Sequence, residues 1–481
     1  MTTQQRTYGN WRLGQRAGLF GLGPAATVAA FAVMVISIIL MVISVPVALG
    51  FAAFGALTLA PLAIRINGRT GLQVLAARMA WWMGRSGRQH VYFSGIVSRV
   101  TETHRLPGVL ATSEVYEVET GRSGRVGVVV VPQTRHYTVT LRCAPEGTDL
   151  VDQSVIDGRV ARLAGWLSSL GREAMLVQAQ VTVETTPDPG TALAAEVAAT
   201  TRTDAPELAR QVLDEVVRTY PTGSAKIDTR VSLTFRPPLA RSMSHEDVCR
   251  EVVGRLPHLH AGLMGAGASG IMPMNAEALA RTVRAAFDPA AAADLTGYEN
   301  TRIDWSQAGP VAAREDWNHY RHDSGISRTW GMVEAPRGVV FANTFSRLSE
   351  PDPELLSKRT TIVYRPYTPA EAARLVESDK RDAQFTAAKK KRPTARDMVD
   401  IDAAEQAASE EATGAGMIRF TVLITATVRS KEELELADGI IKARAGEARL
   451  LLRPMYGCQA ASFAAGLPAG LVLTAHTTIP F

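Results

Sequence analysis

The stretch V-Q-A-Q-V-T-V-E, residues 177–184, decides the fold class because its apolar and polar side chains alternate. A period of two places every apolar side chain of a strand on one face. A second stretch of this kind, I-R-F-T-V-L-I-T, occupies residues 418–425. A strand with one apolar face needs helices to cover that face, so the two stretches predict an α+β fold.

The same order of elements, strand, helix, strand, helix, strand, surrounds both stretches. Around the first, the pattern predicts strands at 126–131, 136–143, 177–183 and 227–235 and helices at 151–170 and from Asp204 to Tyr220. Around the second, it predicts strands at 360–365, 418–424 and 449–453 and helices opened by capping boxes at Thr368–Glu371 and Ser430–Glu433.

This repetition predicts two sandwich-type β-α-β-α-β halves with little residue identity between them. The first α+β domain is expected at residues 90–240 and the second at 309–481. Between them, residues 241–308 carry two predicted helices and a Gly-rich bend, so we expect a helical insertion or linker there.

The front of the chain has a different character. Residues 17–64 contain no ionisable side chain, and arginines flank this run on both sides. Because about 20 helical residues span a bilayer core, a run of this length predicts a transmembrane helical hairpin turning near Pro46 and Gly50. The flanking arginines predict a two-pass location in the cell membrane with both termini cytoplasmic. We expect residues 1–89 to form this unit.

A basic, tryptophan-containing segment follows the apolar run. Tryptophan and arginine favour the interface of anionic membranes, so the segment predicts a juxtamembrane helix on the inner leaflet. Nucleic-acid binding by the same arginines is the alternative, which the neighbouring apolar run disfavours. The candidate lipid-interface residues are Arg65, Arg69, Arg78, Trp81, Trp82, Arg85 and Arg88.

No motif of nucleotide hydrolysis or nucleophilic catalysis stands in a suitable context. The chain has no G-x-x-x-x-G-K-[ST] sequence and no G-x-S-x-G sequence. Gly265, Gly267 and Gly270 spell G-x-G-x-x-G but follow a predicted helix, so we expect a flexible bend. The three cysteines lie far apart in no metal-ligand spacing. The sequence therefore predicts no catalytic residue and no cofactor.

Two further groups of residues could be interpreted as metal sites. The histidine clusters at 258–260 and 319–322 could supply a metal site together with Asp323, although the mixed aromatic and charged context of the second favours a structured loop or interface. Asp400 and Asp402 spell the D-x-D of metal-dependent glycosyltransferases, but they fall in a predicted helix with an acidic, solvated face. We therefore predict no metal site.

Several short motifs resemble a known family. The T-Y-G-N-W at residues 7–11, the apolar hairpin and Trp81-Trp82 look like actinobacterial conjugal-transfer membrane proteins of type IV secretion loci, whose front resembles the two-helix PrgI-type subunit. The body resembles the non-motor N-terminal domain of the large conjugative secretion ATPases. That likeness is carried by R-H-D-S at 321–324, E-A-P-R-G at 334–338, and the ending at 459–463 and 467–470.

The resemblance implies a scaffold without catalysis of its own. Such a protein would dock a separate motor ATPase at the inner face of the membrane and contact channel subunits and lipids. Homo-oligomers are compatible with this role, and direct nucleic-acid binding is not expected. A type VII secretion membrane component and a membrane-anchored glycosyltransferase-like enzyme are the alternatives. Since Trp, Tyr and Arg dominate interface hot spots, the candidate partner contacts are Trp317, Tyr320, Arg321, His322 and Trp330, with ordinary core aromatics as the competing interpretation.

Overall fold

The structure is a computed structural model and describes residues 24–476, apart from 64, 67, 96–97, 99–103, 122–123, 148–150, 189, 203, 220–224, 239–242, 293–294, 296–301, 337–339, 342, 389–394, 413 and 415. The motif at residues 7–11 and the arginines that precede the apolar run therefore lie outside the described residues.

The described helices vary widely in length. They are α1 (Pro24–Ile43), α2 (Val45–Ala63), α3 (Gly71–Ser86), α4 (Gln153–Leu170), α5 (Thr191–Thr200), α6 (Glu207–Thr219), α7 (His245–Gly265), α8 (Ala276–Phe287), α9 (Ser346–Ser349), α10 (Pro369–Ala388), α11 (Ala395–Ala412), α12 (Glu433–Glu447) and α13 (Gln459–Ala465). Short 3-10 turns lie at Gly108–Leu110, Trp305–Gln307 and Leu473–Ala475.

The strands form a two-stranded ribbon and one large antiparallel sheet. They are β1 (Arg65–Ile66), β2 (Arg69–Thr70), β3 (Val91–Phe93), β4 (Glu114–Thr120), β5 (Gly124–Val131), β6 (His136–Pro145), β7 (Leu176–Pro187), β8 (Ala225–Phe235), β9 (Ala268–Pro273), β10 (Ala312–Glu315), β11 (Tyr320–His322), β12 (Gly325–Glu334), β13 (Ser357–Pro366), β14 (Ile418–Val428) and β15 (Leu451–Pro454). The described part of the large sheet has 13 strands in the order β3-β10-β11-β12-β14-β13-β7-β8-β6-β5-β4, with β15 on β12 and β9 on β6.

The two halves of the chain follow the same path through this sheet. From the centre outward, the first half runs β7-β8-β6-β5-β4 with β9 beside β6, and the second runs β13-β14-β12-β11-β10 with β15 beside β12. Their helices also correspond: α4 to α9, α5 and α6 to α10 and α11, α7 to α12, and α8 to α13. The expected pair of separate sandwich-type halves is therefore replaced by two copies of one motif sharing a continuous sheet.

The halves join where β7 pairs with β13, from Thr185 opposite Lys358 to Ala179 opposite Tyr364. Glu184 on β7 lies between two arginines at this seam: its Oε1 is 3.2 Å from Nε of Arg359, and its other oxygen accepts a hydrogen bond from Arg230. Burial alone would raise the pKa of this carboxyl, but the two positive charges hold it below its usual value. Glu184 is therefore a buried carboxylate balanced by two arginines, although burial also lowers the pKa of Arg359.

The C-terminal segment crosses a polar face of the sheet. The carbonyl oxygens of Pro468 and Gly470 accept hydrogen bonds from Thr140 (3.1 Å) and Thr234 (3.0 Å). At Gly470, where φ is +57°, a Cβ would lie 2.2 Å from Oγ1 of Thr234, so only glycine fits. The L-P-A-G sequence at 467–470 therefore satisfies buried threonine hydroxyls and closes the core.

The front of the chain forms two apolar helices that fold back on each other, with Val33 packed against Gly55. Among the described residues, no helix combines the length and the apolar character that a membrane crossing requires. The predicted transmembrane hairpin, and with it the two-pass membrane location, is wrong on this finding.

Two local predictions also differ from the structure. The G-x-G-x-x-G stretch leads into β9, which pairs with β6, rather than forming only a bend. Asp204 does not cap α6, which begins at Glu207; its carboxylate pairs instead with Arg202. By contrast, the capping box at Thr368 is confirmed, because Glu371 N–H donates to the Thr368 hydroxyl and Thr368 N–H to the Glu371 carboxylate.

Candidate docking site

Helix α3 carries most of the predicted lipid-interface residues and is firmly positioned at its start. Thr70 and Gln73 form a capping box: Gln73 N–H donates to Oγ1 of Thr70 at 3.3 Å, and Thr70 N–H donates to Oε1 of Gln73 at 3.0 Å. The ribbon β1–β2 that precedes the helix reaches the large sheet, where Gly68 packs against Val333 of β12. The helix is therefore tied to the body of the protein at its N-terminal end.

The opposite end of α3 contacts the turn between β10 and β11 through aromatic rings. Trp81 meets Trp317 edge to face, with ring centroids 5.4 Å apart, and Trp317 stacks on Tyr456 at 5.9 Å. Gly457 N–H donates to the Trp317 carbonyl at 2.8 Å, and a Cβ on Gly457, whose φ is +73°, would lie 2.6 Å from the Trp317 ring. Aromatic pairs in this geometry stabilise by about 0.5–1.5 kcal/mol beyond their buried area.

Two arginines of α3 complete this contact. The guanidinium of Arg78 lies 5.0 Å from the Trp317 ring centroid, and that of Arg85 lies 5.1 Å from Trp81. Arg85 also lies 3.7 Å from the Asp316 carboxylate. Positions 78, 81 and 85 recur at helical spacing and so share one face of α3. We call the set Arg78, Trp81, Arg85, Trp317 and Tyr456 the tryptophan junction.

The other face of α3 is apolar and exposed. The exposed fraction reaches 69% at Trp82 and 60% at Met83. These side chains make none of the ring contacts of the tryptophan junction, and large exposed apolar side chains grouped on one surface mark interaction sites. We call this surface the α3 outer face; it consists of Leu72, Leu75, Met79, Trp82 and Met83.

The five predicted partner contacts lie in two different environments. Trp317 is half-buried in the tryptophan junction, and Arg321 is exposed on β11. Tyr320, His322 and Trp330 are at most 3% exposed and belong to the core. These three side chains are covered by the chain itself, so in this structure a partner can reach only the first two.

His322 illustrates why the buried members are structural. Its Nδ1 donates to the Phe287 carbonyl at 2.6 Å, which leaves Nε2 to accept from the Ser327 hydroxyl at 2.7 Å. Burial lowers the pKa of this histidine to about 4, so the ring is neutral at pH 7. Trp330 donates its Nε1–H to Asp438 at 3.1 Å. Both rings have their hydrogen bonds satisfied within the core.

The predicted lipid-interface residues are similarly divided. Arg78, Trp81 and Arg85 belong to the tryptophan junction, and Arg69 is half-buried on β2. Trp82 and Arg88 are exposed, and the side chain of Arg65 lies outside the described residues. Part of the predicted lipid interface therefore contacts the body of the protein instead of facing solvent.

The candidate metal ligands do not converge. His319 Nε2 lies 3.3 Å from Asp316, whereas Asp323 accepts hydrogen bonds from the backbone of Val311 and Ala312 and pairs with Arg284. His258 and His260 are two positions apart on α7 and so point in different directions. Within the described part of the chain, no group of three His, Cys, Asp or Glu side chains could hold a metal ion.

The D-x-D pair also lies where the sequence placed it, on a helix. Asp402 is exposed on α11, and the side chain of Asp400 lies outside the described residues. Sequence reasoning missed Tyr456, which lies in the turn after β15 and stacks on Trp317. The only sequence signal for the tryptophan junction was the helical spacing of Arg78, Trp81 and Arg85. This spacing shows that the three residues share one face of a helix, but it does not show which residues that face contacts.

The comparisons with known proteins are sparse. A family model described as a domain of unknown function (DUF8461) matches residues 15–73, which include α1, α2 and the start of α3. A comparison with curated proteins finds no match to this chain.

Proposed function

We propose that this protein is a non-catalytic scaffold of a conjugal-transfer secretion apparatus that docks a separate motor ATPase. The α3 outer face carries this proposal, because it groups large exposed apolar side chains on a helix that is held at both ends. A rigid helix loses little conformational entropy on binding, which favours affinity. Trp82 is the natural anchor, since tryptophan is among the residues most enriched in interface hot spots.

The resemblance of the body to the non-motor domain of conjugative ATPases supports the choice of partner. A protein that resembles this domain but lacks the Walker A sequence can position a motor without hydrolysing nucleotide by the P-loop route. Arg78 and Arg85 contribute indirectly, because they hold Trp81 against Trp317 and thereby fix the direction in which Trp82 points.

The test is a binding measurement between the purified full chain and a purified motor ATPase of the conjugal-transfer class encoded in the same genome. We expect Trp82→Glu to weaken the affinity at least ~10-fold, because a charge replaces a central apolar contact. Leu436→Glu is the matched control: Leu436 is 55% exposed on α12, remote in sequence from α3, and its substitution should leave the affinity unchanged. Equal affinity of both variants would refute docking through the α3 outer face, and absence of any binding by the unaltered chain would refute the proposed partner.

A further inference from the structure

A cavity of about 210 Å³ lies close to the tryptophan junction, where edge strand β3 and strands β10 and β11 meet α13. The turn at Gly108–Leu110 closes one side, and Ala460, Ala461 and Ala464 of α13 form another. The small alanine side chains leave the space open. Its volume falls between the ~150 Å³ of an apolar cavity that admits benzene and the ~300 Å³ of the smallest drug-sized pockets. A ligand of one ring with a short side chain matches this size.

Three aromatic residues line the cavity: Tyr92, Phe287 and Tyr320. Tyr320 is only 3% exposed, and its ring packs against that of Phe287, with the ring centroids 6.5 Å apart. A tyrosine hydroxyl group can both donate and accept a hydrogen bond, so Tyr320 adds a polar group to a largely apolar lining.

Glu315 supplies the carboxylate in the lining. Its Oε1 accepts a hydrogen bond from Ala460 N–H at 3.0 Å, which fixes the side chain against the start of α13. Burial raises the pKa of this carboxyl, and the neighbouring Asp316 raises it further, so a cation nearby would relieve an unfavourable charge. The lining residues include no lysine or arginine; besides Glu315 and the tyrosines, their polar side chains are those of Gln89 and His90.

We propose that this cavity binds a small organic ammonium ion with an apolar body, its charged nitrogen at Glu315 and Tyr320 and its body among the aromatic and alanine side chains. Both halves of the ligand have a matching surface: a carboxylate and a tyrosine hydroxyl accept hydrogen bonds from an ammonium group, and aromatic rings attract cations and bury apolar atoms. The site is separate from the α3 outer face, and its occupancy does not depend on the proposed docking function.

The probe is 2-phenylethylammonium, with 2-phenylethanol as its uncharged counterpart of similar shape. Titration calorimetry of the purified full chain should give a Kd of ~1 mM or tighter for the ammonium ion. The alcohol should bind at least ~10-fold more weakly, since it lacks the charge that Glu315 compensates. Equal affinity for both probes, or no binding of the ammonium ion, would overturn the proposal.

Two variants locate the site. Glu315→Gln keeps an oxygen that can accept from Ala460 N–H but removes the charge, so it should weaken ammonium binding ~10-fold and leave binding of the alcohol unchanged. Glu119→Gln is the matched control, because Glu119 is exposed on β4 and outside the cavity; it should bind both probes as the unaltered chain does. If both variants lose affinity equally, the effect is one of overall charge and the proposal fails.

A third variant keeps the test decisive if Glu315→Gln lowers stability. Ala461→Leu fills the cavity from α13 and should abolish binding of both probes, while its circular dichroism spectrum stays that of the unaltered chain. Perturbation of the Tyr92 and Tyr320 ring resonances by the ammonium probe would independently place the ligand there. Unchanged affinity in folded Ala461→Leu would exclude this cavity as the site.

Discussion

The two halves of the sheet share a topology but stabilise it by different means. In the first half, the 18-residue helix α4 packs on α7: Trp166 donates its Nε1–H to the Leu259 carbonyl at 3.0 Å and lies against Gly262. In the second half, the corresponding helix α9 has only four residues. The short helix contributes one buried leucine, Leu348, to the apolar core of its half, and a group of ion pairs follows it in the chain.

Those ion pairs centre on Asp352. Lys358, only 2% exposed on β13, donates to the Asp352 carboxylate and to the Glu350 carbonyl. Arg444 of α12 donates to Oδ1 of Asp352 at 2.9 Å and to Oε2 of Glu350 at 3.0 Å. Both copies have an apolar core, and the comparison shows that a long helix in one copy corresponds to a short helix with a buried charge network in the other.

The largest expected effect comes from breaking the charge network. Asp352→Ala leaves Lys358 and Arg444 without their shared carboxylate, so we expect the free energy of unfolding to fall by about 3–5 kcal/mol. Denaturant unfolding of the purified chain measures this change.

The control for that prediction also removes the positive charge of Lys358, which Asp352→Ala leaves unpaired. Because an apolar replacement of a buried ion pair is often neutral, Lys358→Met combined with Asp352→Ala should recover most of the loss. A loss below about 1 kcal/mol for Asp352→Ala alone would mean that the second half does not depend on these ion pairs.

A second prediction concerns pH, because each half buries a neutral histidine. Burial lowers the pKa of His136, at the start of β6, and of His322, on β11, to about 4. Below about pH 6.5 these histidines bind protons in the unfolded chain but stay neutral in the folded chain. The free energy of unfolding therefore falls as the pH drops from 6.5 to 4. For His322, which is fully buried, this loss is about 3 kcal/mol.

The variant His322→Gln should therefore show a loss between pH 7 and pH 4 that is smaller by about 3 kcal/mol. Urea unfolding at several pH values measures the slope. His258→Gln, exposed on α7, serves as the control and should keep the slope of the unaltered chain. An unchanged slope in His322→Gln would contradict the burial of a neutral ring at this position.

The prediction with the smallest expected effect concerns the apolar packing of α4 on α7 in the first half. A Cβ on Gly262 would lie 2.3 Å from Cδ1 of Trp166, so Gly262→Ala should destabilise the protein by about 1–3 kcal/mol. Gly254→Ala on the same helix meets nothing within 4 Å and should instead stabilise by about 0.5–1 kcal/mol through helix propensity. Thermal unfolding compares the two, and a stabilising Gly262→Ala would show that α4 and α7 do not pack closely.

Much of the secondary structure was predictable from local patterns. The alternation at 177–184 and 418–425 identifies β7 and β14, and the capping box at Thr368 marks the start of α10. The candidate site was predictable only in part: Trp317 and Trp81 were singled out, but for different roles, and their contact with each other and with Tyr456 was not. These contacts join residues more than 100 positions apart, and contacts over such separations leave no trace in local spacing.

The sequence by itself determined where strands and helices form and that their order repeats, because hydrophobic period and capping chemistry act over a few neighbouring residues. Only the tertiary structure decided that β7 pairs with β13 to join both copies in one sheet, and that Tyr320, His322 and Trp330 lie inside while Trp82 lies outside. Strand pairing and side-chain burial depend on which distant segments meet, and that information is spread over the whole chain.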